Sequence, residues 1–395
     1  MRYTNAKAAI QKALVNHDDL RAIALIKQLE QDSGMTAETC FLKARAYRHM
    51  GDDASFAQYL ELAAQLGFPE KKVYNERMLR AAQLGELGSE LTSKMESVLA
   101  GSETEFEEAA CSLIYGYLDA NQISNVFPVL VLWSNQDKNT PWVPYFYGML
   151  AQSQRDWAKS LEAFGQAAKA NSDFVPLYRP LGVSYQKTNE HEKAIEAFRK
   201  YLQSNPNDSE VVAMLSTSLI SLDQKDEGLQ LLVPFLESNE ATDEMRLTAA
   251  NIYLDRNEPQ RAIDVLGSIS KLWPEDVGVA TLMSQANQRV GNIEAAKKFS
   301  DVVAAGQPEL QKIDAQIGEL QRGIGDTAEN NYQLGHTLLH KRSREEGVIW
   351  LKQAITRDPQ YVKAYEDIVI YFTRTNQTEM ATRYQQFVNS LKGTP

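Results

Sequence analysis

The amino-acid sequence predicts an all-α protein built from a stack of two-helix units, and three observations support this. The chain has 21 glycines and 13 prolines among 395 residues, which together fall short of the roughly 12% found in average globular chains. Apolar residues recur at i, i+3, i+4 and i+7, which is the spacing of one face of a helix. This spacing itself repeats with a period of about 34 residues. Length alone would instead suggest two or three globular domains.

Composition and charge exclude several functional classes. The chain is 43% hydrophobic and 24% charged, which is typical of a soluble folded protein. Its net charge of −11 argues against a nucleic-acid groove, because such a groove needs basic residues to neutralise phosphates. The sequence contains no apolar run near the ~18 residues that a membrane span requires. We therefore expect no nucleic-acid partner and no membrane span.

The first residues give an expectation about location. The segment 1–6, Met-Arg-Tyr-Thr-Asn-Ala, lacks the charged and then apolar layout of a secretory signal. We therefore favour a cytoplasmic location. A periplasmic or secreted location stays open if a signal segment was removed before residue 1.

The clearest repeat spans residues 175–208. Its pattern residues are Leu181, Gly182, Tyr185, Ala194, Phe198 and Pro206. Steps of one period from Gly182 reach the equivalent small residues Gly148, Ser216, Ala250 and Ser284. The pattern L-G-x2-Y, then A-x3-F, then P resembles the tetratricopeptide repeat.

The resemblance implies an α-solenoid of about eleven helix-turn-helix units that form a right-handed superhelix. Gly335 follows Ser284 by one and a half periods, so we expect one extra helix inserted near 310–326, with Pro308 ending the helix before it. That helix either closes the preceding stack or acts as a joint for the last two units.

The predicted organisation has four parts. They are three weakly matching units over 1–106, six in-register units over 107–310, an inserted helix and joint over 311–327, and two C-terminal units over 328–395. The weak units rest on apolar sets at helical spacing, such as Ala22, Ile26 and Leu29, and Leu91, Met95 and Val98.

Motifs that carry chemistry are few. Phosphate loops, dinucleotide-binding glycines, serine-nucleophile elbows and zinc-protease helices do not occur in the sequence. Cys40 and Cys111 are isolated, and we expect them to be reduced core residues. We assign no catalytic residue, and we expect no cofactor.

Two histidines, His336 and His340, are spaced i, i+4, which can place two imidazoles on one metal ion. The sequence gives them no fixed third ligand, although Glu366 of the next unit could be near. We therefore expect both histidines to line the groove or to be solvated, and we assign no metal ligand. The other histidines, at positions 17, 49 and 191, fall in or beside turns and indicate no function.

In tetratricopeptide proteins, positions 2, 5, 9 and 12 of each unit line a concave groove that takes extended peptides or helices. The resemblance therefore implies partner-binding candidates among these positions: Tyr115, Trp142, Tyr145, Met149, Arg179 and Asn251. The first four form an aromatic cluster with one methionine, the kind of surface that interfaces use, and the last two are candidate polar anchors. The alternative is a tightly wound groove whose axis these side chains fill.

Three hypotheses for function follow. The first is a non-enzymatic scaffold that binds a protein or peptide partner in the groove. The second is a structural subunit of a larger assembly, such as an envelope or export assembly, that self-associates through its terminal repeats. Self-association of this kind would give a homo-oligomer. Its contact surface would be the apolar face of the C-terminal helix, formed by Met380, Tyr384, Phe387, Val388 and Leu391. The third is a metal-binding protein that uses His336 and His340. The sequence does not identify the partner.

Overall fold

The computed structural model describes residues 2–85, 103–119, 122–238 and 240–393. Within these ranges every regular element is a helix, which confirms the predicted all-α fold of repeated helical hairpins. The set Leu91, Met95 and Val98 lies outside the described residues. The chain divides into two compact units, Met1–Gln224 and Lys225–Pro395.

In the first unit, successive helices pack against one another, and a short 3-10 helix spans Val175–Leu177. The α-helices of this unit are α1 (Arg2–Val15), α2 (Asp19–Ser33), α3 (Ala37–Met50), α4 (Asp53–Gln65), α5 (Glu70–Gln83), α6 (Glu103–Asp119), α7 (Ile123–Gln136), α8 (Trp142–Ser153), α9 (Trp157–Ala170), α10 (Tyr178–Lys187), α11 (His191–Ser204) and α12 (Ser209–Ser221).

The second unit is built in the same way, and it contains the longest helix of the described chain. Its helices are α13 (Lys225–Glu237), α14 (Asp243–Asp255), α15 (Pro259–Leu272), α16 (Val277–Arg289), α17 (Ile293–Gln321), α18 (Ala328–Lys341), α19 (Arg344–Arg357), α20 (Val362–Arg374) and α21 (Thr378–Leu391).

The turn between the two helices of a repeat recurs with the same period as the sequence pattern. The residue at position 15 has a positive φ in five consecutive repeats and in the last one: Arg155, Asn189, Asp223, Asn257, Gly291 and Asn376. The repeat 328–361 differs, because Arg342 at this position has a φ of −143°. Asn, Asp and Gly tolerate this left-handed conformation better than other residues. The backbone therefore confirms the register independently of the apolar pattern.

The two helices of a repeat approach closely where position 8 is glycine. A Cβ on Gly148 would lie 2.3 Å from Cε1 of Phe164, and a Cβ on Gly182 would lie 2.5 Å from Cε1 of Phe198. Each phenylalanine is fully buried and stands at position 24 of its repeat. The aromatic ring of the second helix thus fills the space that a side chain on the first helix would need.

A pair of glutamines links successive repeats. Gln152 donates from Nε2 to the carbonyl of Pro180 and to Oγ of Ser184, at 2.7 Å each. Gln186, one period later, donates to the corresponding groups of Met214 and Ser218, at 3.1 and 3.0 Å. Position 12, which the resemblance places on the groove wall, therefore also holds neighbouring first helices together.

The expectation that Pro308 ends a helix is wrong, because Pro308 lies inside α17. The segment predicted as an extra helix is helical as far as Gln321, and it continues the preceding helix. A proline inside a helix costs roughly 3 kcal/mol. Burial of Ile313 and Ile317 in one apolar cluster with Leu334 and Leu338 offsets that cost. The four-part domain organisation, including a joint in this region, stays a proposal.

The close approach at position 8 generates a stability prediction. We expect Gly182→Ala to lower the free energy of unfolding by about 1–3 kcal/mol, because the new methyl group overlaps the ring of Phe198. Gly165→Ala is the matched control, since a Cβ there meets nothing within 4 Å. This control should leave stability unchanged or raise it by up to ~1 kcal/mol, because alanine favours the helix. Urea denaturation followed by circular dichroism measures both, and equal effects would contradict the packing described here.

Candidate functional site

The first unit contains a cleft with a volume of about 1070 Å³. Positions 5 and 9 of three consecutive repeats all lie on its wall: Cys111, Tyr115, Tyr145, Met149, Arg179 and Val183. These positions share one face of the first helices, opposite the face that packs on the second helices. The helical register therefore directs six side chains from three repeats into one cleft.

Four of the six predicted groove residues line this cleft, namely Tyr115, Tyr145, Met149 and Arg179. The hydroxyls of the two tyrosines lie 3.5 Å apart. Burial raises the pKa of both phenols, so both stay protonated at neutral pH. Arg179 forms ion pairs with Glu210 and, at 3.7 Å, with Asp208.

The structure places Trp142 in the core, where it is 1% exposed, and not on the groove wall. Its indole packs edge-on against Phe174 at 4.6 Å and against His17 at 4.8 Å between ring centroids. His17 stands in the turn between α1 and α2, so a distant part of the chain covers this tryptophan. Asn251 does not line this cleft. It is an exposed residue of the second unit, and its side chain donates to the carbonyl of Leu247.

The N-terminal hairpin closes one side of the cleft. The amide of Val175 donates to the carbonyl of Asn16 at 3.2 Å, and Asn171 donates to the side-chain oxygen of Asn16 at 2.9 Å. Lys12 pairs with Asp173 at 3.3 Å. Because these contacts join residues more than 150 positions apart, no local sequence pattern signals them.

A buried ion-pair network forms the polar part of the cleft wall, and the sequence did not indicate it. His49 bonds through Nδ1 to Asp19 at 2.9 Å and through Nε2 to Glu108 at 3.1 Å. Arg48 is 1% exposed, and it bonds to Glu76 at 2.7 Å and to Glu108. Buried charges of this kind need partners on every side.

The pKa values of the two histidines in this region, His17 and His49, are shifted in opposite directions. Burial alone would lower the pKa of His49, but the carboxylates of Glu108 and Asp19 outweigh it and raise the pKa to about 9. His17 stacks on His49 at 4.0 Å. Burial and the charge of His49 lower the pKa of His17 well below its ordinary value. His49 is therefore charged and His17 neutral at neutral pH.

Two groups in the described part of the chain bring imidazoles and carboxylates within 4.8 Å of one another: His17, Asp19 and His49, and His336, His340 and Asp367. In the first group both nitrogens of His49 already bond to carboxylates, and its charge disfavours a cation. In the second group the carboxylate is Asp367 and not the expected neighbour Glu366, which pairs with Lys392.

Among the helices of the described ranges, none combines the length and the apolar composition needed to cross a membrane.

The network around His49 predicts a pH-dependent stability. The pKa of His49 rises from 6.5 in the unfolded chain to about 9 in the fold. The stabilisation is therefore complete below pH 6.5 and is lost as the pH rises through 9. Over this window we expect His49 to contribute a decrease of roughly 3 kcal/mol in the free energy of unfolding. The facing groups Asp19, Glu108 and Arg48 keep their charges, and His17 stays neutral.

Urea denaturation at a series of pH values, for the wild type and His49→Gln, measures this contribution as the difference between the two slopes. The His191→Gln variant is the control and should keep the wild-type slope. Parallel pH profiles for the wild type and His49→Gln would show that the network does not hold His49 in its charged form.

Comparisons with known proteins bear on the repeats. One tetratricopeptide repeat family profile matches residues 148–209, and another matches residues 328–361. No curated protein matches the sequence.

Several solved structures are similar. A tetratricopeptide repeat protein from Parabacteroides merdae is 15% identical with a TM-score of 0.39, over 67% of this chain and 98% of that one. Pseudomonas aeruginosa PilF is 14% identical with a TM-score of 0.35, over 63% and 97%. YrrB, described as a TPR protein with an unusual peptide-binding site, is 16% identical with a TM-score of 0.31, over 60% and 96%.

Because these TM-scores are below 0.5, the family assignment rests on the profiles and on the repeat itself. The first profile covers the repeat that contains Gly182, Phe198 and the turn at Asn189, and the second covers the repeat that contains Gly335. Both matched segments thus carry the register and the close helix packing described above, and the first also carries the left-handed turn at Arg155 and Asn189. The chain therefore carries tetratricopeptide repeats over residues 148–209 and 328–361, as the two family profiles show.

Proposed function

We propose that the cleft of the first unit binds a segment of a protein partner and that the protein works as a non-enzymatic scaffold. The observation that carries this proposal is the convergence of positions 5 and 9 from three consecutive repeats on one cleft. The volume of about 1070 Å³ is slightly above the ~300–1,000 Å³ typical of small-molecule pockets. It suits a peptide segment with several side chains.

The chemistry of the wall favours an apolar segment with few charges. Tyr115, Tyr145, Met149 and Val183 present aromatic, sulfur and aliphatic surface, which provides contact area at a small cost in side-chain entropy. The charged groups of the cleft are already paired within the chain. Besides the network at His49 and the pairs of Arg179, the guanidinium of Arg80 bonds to Asp53 at 3.0 Å. A partner therefore meets no uncompensated charge that it would have to neutralise.

A peptide-display selection against the full chain tests this function. We expect selected peptides to lose at least about tenfold in affinity for the double variant Met149→Glu/Val183→Glu, because two carboxylates would face an apolar ligand at a site without free cations. Fluorescence anisotropy with labelled peptides measures the affinities.

The control is Tyr147→Glu, which introduces one carboxylate on α8 at an exposed position outside the cleft wall. Peptides should bind this variant as they bind the wild type, and circular dichroism should show all three chains folded. Equal affinity for the double variant and the wild type would place the binding surface elsewhere and reject the proposal.

Self-association through the C-terminal helix receives less support. Phe387 and Tyr384 of α21 pack on α20, at 5.8 Å from Tyr365 and 5.5 Å from Phe372 between ring centroids, and Val388 is buried. Phe387 nevertheless stays 44% exposed, so only part of the predicted apolar face is covered within the chain. The homo-oligomer stays a prediction, which light scattering at high protein concentration tests.

A further inference from the structure

We propose that His336, His340 and Asp367 form a binding site for a divalent transition-metal ion, with Zn²⁺ as the reference ion. The site lies in the second unit and is independent of the cleft proposed above. Two imidazoles and one carboxylate are a ligand set typical of Zn²⁺ and of its neighbours Co²⁺ and Ni²⁺. Three protein ligands leave a further coordination position for water or for a group from a partner.

The geometry brings the three side chains to one point. His336 and His340 are one turn apart on α18, with ring centroids 4.6 Å apart. Asp367 approaches from α20, with Oδ2 at 2.6 Å from Nδ1 of His336 and Oδ1 at 3.9 Å from Nε2 of His340. Metal–ligand bonds of about 2.0–2.2 Å place two ligands of one ion at most about 4.4 Å apart. Modest rotations of the side chains therefore bring all three onto a common ion.

An unsatisfied nitrogen points into this site. Nε2 of His340 is buried and has no hydrogen-bond partner among the described residues, although it faces Oδ1 of Asp367 beyond hydrogen-bond distance. Buried polar atoms in folded proteins are normally satisfied. A metal ion coordinated by Nε2 of His340 and by Asp367 would satisfy this nitrogen and would also compensate the charge of a carboxylate that is 8% exposed.

Aromatic side chains pack against the two imidazole rings, and one side of the site stays open to an ion from solvent. Trp273 packs edge-on against His340 at 5.9 Å, and Tyr332 lies 5.6 Å from His336 between ring centroids. An apolar shell of this kind limits solvent access to a metal site and lowers the local dielectric constant. The side chain of His336 is 43% exposed, so an ion can reach the site from solvent. The nearby cation Lys341 is paired with Glu309 at 2.7 Å.

The ion would link the first helices of the last two repeats. His336 and His340 stand at positions 9 and 13 of the repeat 328–361, and Asp367 stands at position 6 of the repeat 362–395. Binding to the folded state alone stabilises it. We therefore expect Zn²⁺ to raise the melting temperature of the chain in addition to binding to it.

Isothermal titration calorimetry of the full chain with Zn²⁺ tests the proposal. We expect one ion per chain, and we expect His340→Gln and Asp367→Asn each to weaken binding at least about tenfold, because even groups that only orient a ligand contribute 10–100-fold. His191→Gln is the control and should bind as the wild type does. Co²⁺ should give the intense visible absorption of a tetrahedral site in the wild type and in His191→Gln, and not in His340→Gln or Asp367→Asn.

His336 is the half-exposed ligand, so its substitution does not disturb a buried position and provides a second variant. His336→Gln should keep the helical circular dichroism spectrum and lose both the tight Zn²⁺ binding and the rise in melting temperature. A wild-type chain that takes up no Zn²⁺ would overturn the proposal. Undiminished Zn²⁺ binding by the His336, His340 and Asp367 variants would also overturn it, since the ion would then bind elsewhere.

Discussion

The close approach of the two helices within each repeat is the constraint on which the rest of the structure depends. At Gly148 and Gly182 the phenylalanine ring of the second helix occupies the volume of a missing side chain. At Gly335 the approach is between backbones, since a Cβ there would lie 2.8 Å from the amide nitrogen of Leu351. This packing uses one face of each first helix and leaves the opposite face, with positions 5 and 9, free to build a shared surface.

The cleft in the first unit arises because the N-terminal hairpin folds against a later repeat. Asn16 and His17 contact residues of the segment 142–175, and the same hairpin supplies Asp19 to the buried charge network. In that network three cations, Arg45, Arg48 and the charged His49, face three carboxylates, Asp19, Glu76 and Glu108. Buried ion pairs contribute little net stability, but an incomplete set would leave a charge without a partner. We infer that the network selects this one arrangement of the hairpin.

The sequence predicts the repeat and the direction of its inner face, because both follow from local spacing. Gly182 and Phe198 mark the register, and Tyr145 and Met149 reach the cleft as their positions imply. The sequence could not place Trp142 correctly, since its burial depends on His17, which is 125 positions earlier. It also could not select Asp367 over Glu366, because adjacent residues on a helix point about 100° apart. Pro308 does not end its helix, because the packing of Ile313 and Ile317 on the following helix outweighs the tendency of proline to end a helix.

We propose that the inner faces of the repeats in the first unit bind a partner segment in the cleft. Hydrogen–deuterium exchange of the full chain, with and without a bound peptide, tests it most directly, because a ligand suppresses local opening where it binds. We expect slower exchange in Trp142–Ser153 and Tyr178–Lys187, the helices that carry Tyr145 and Arg179. Slower exchange confined to Lys225–Pro395, with these two helices unchanged, would contradict it.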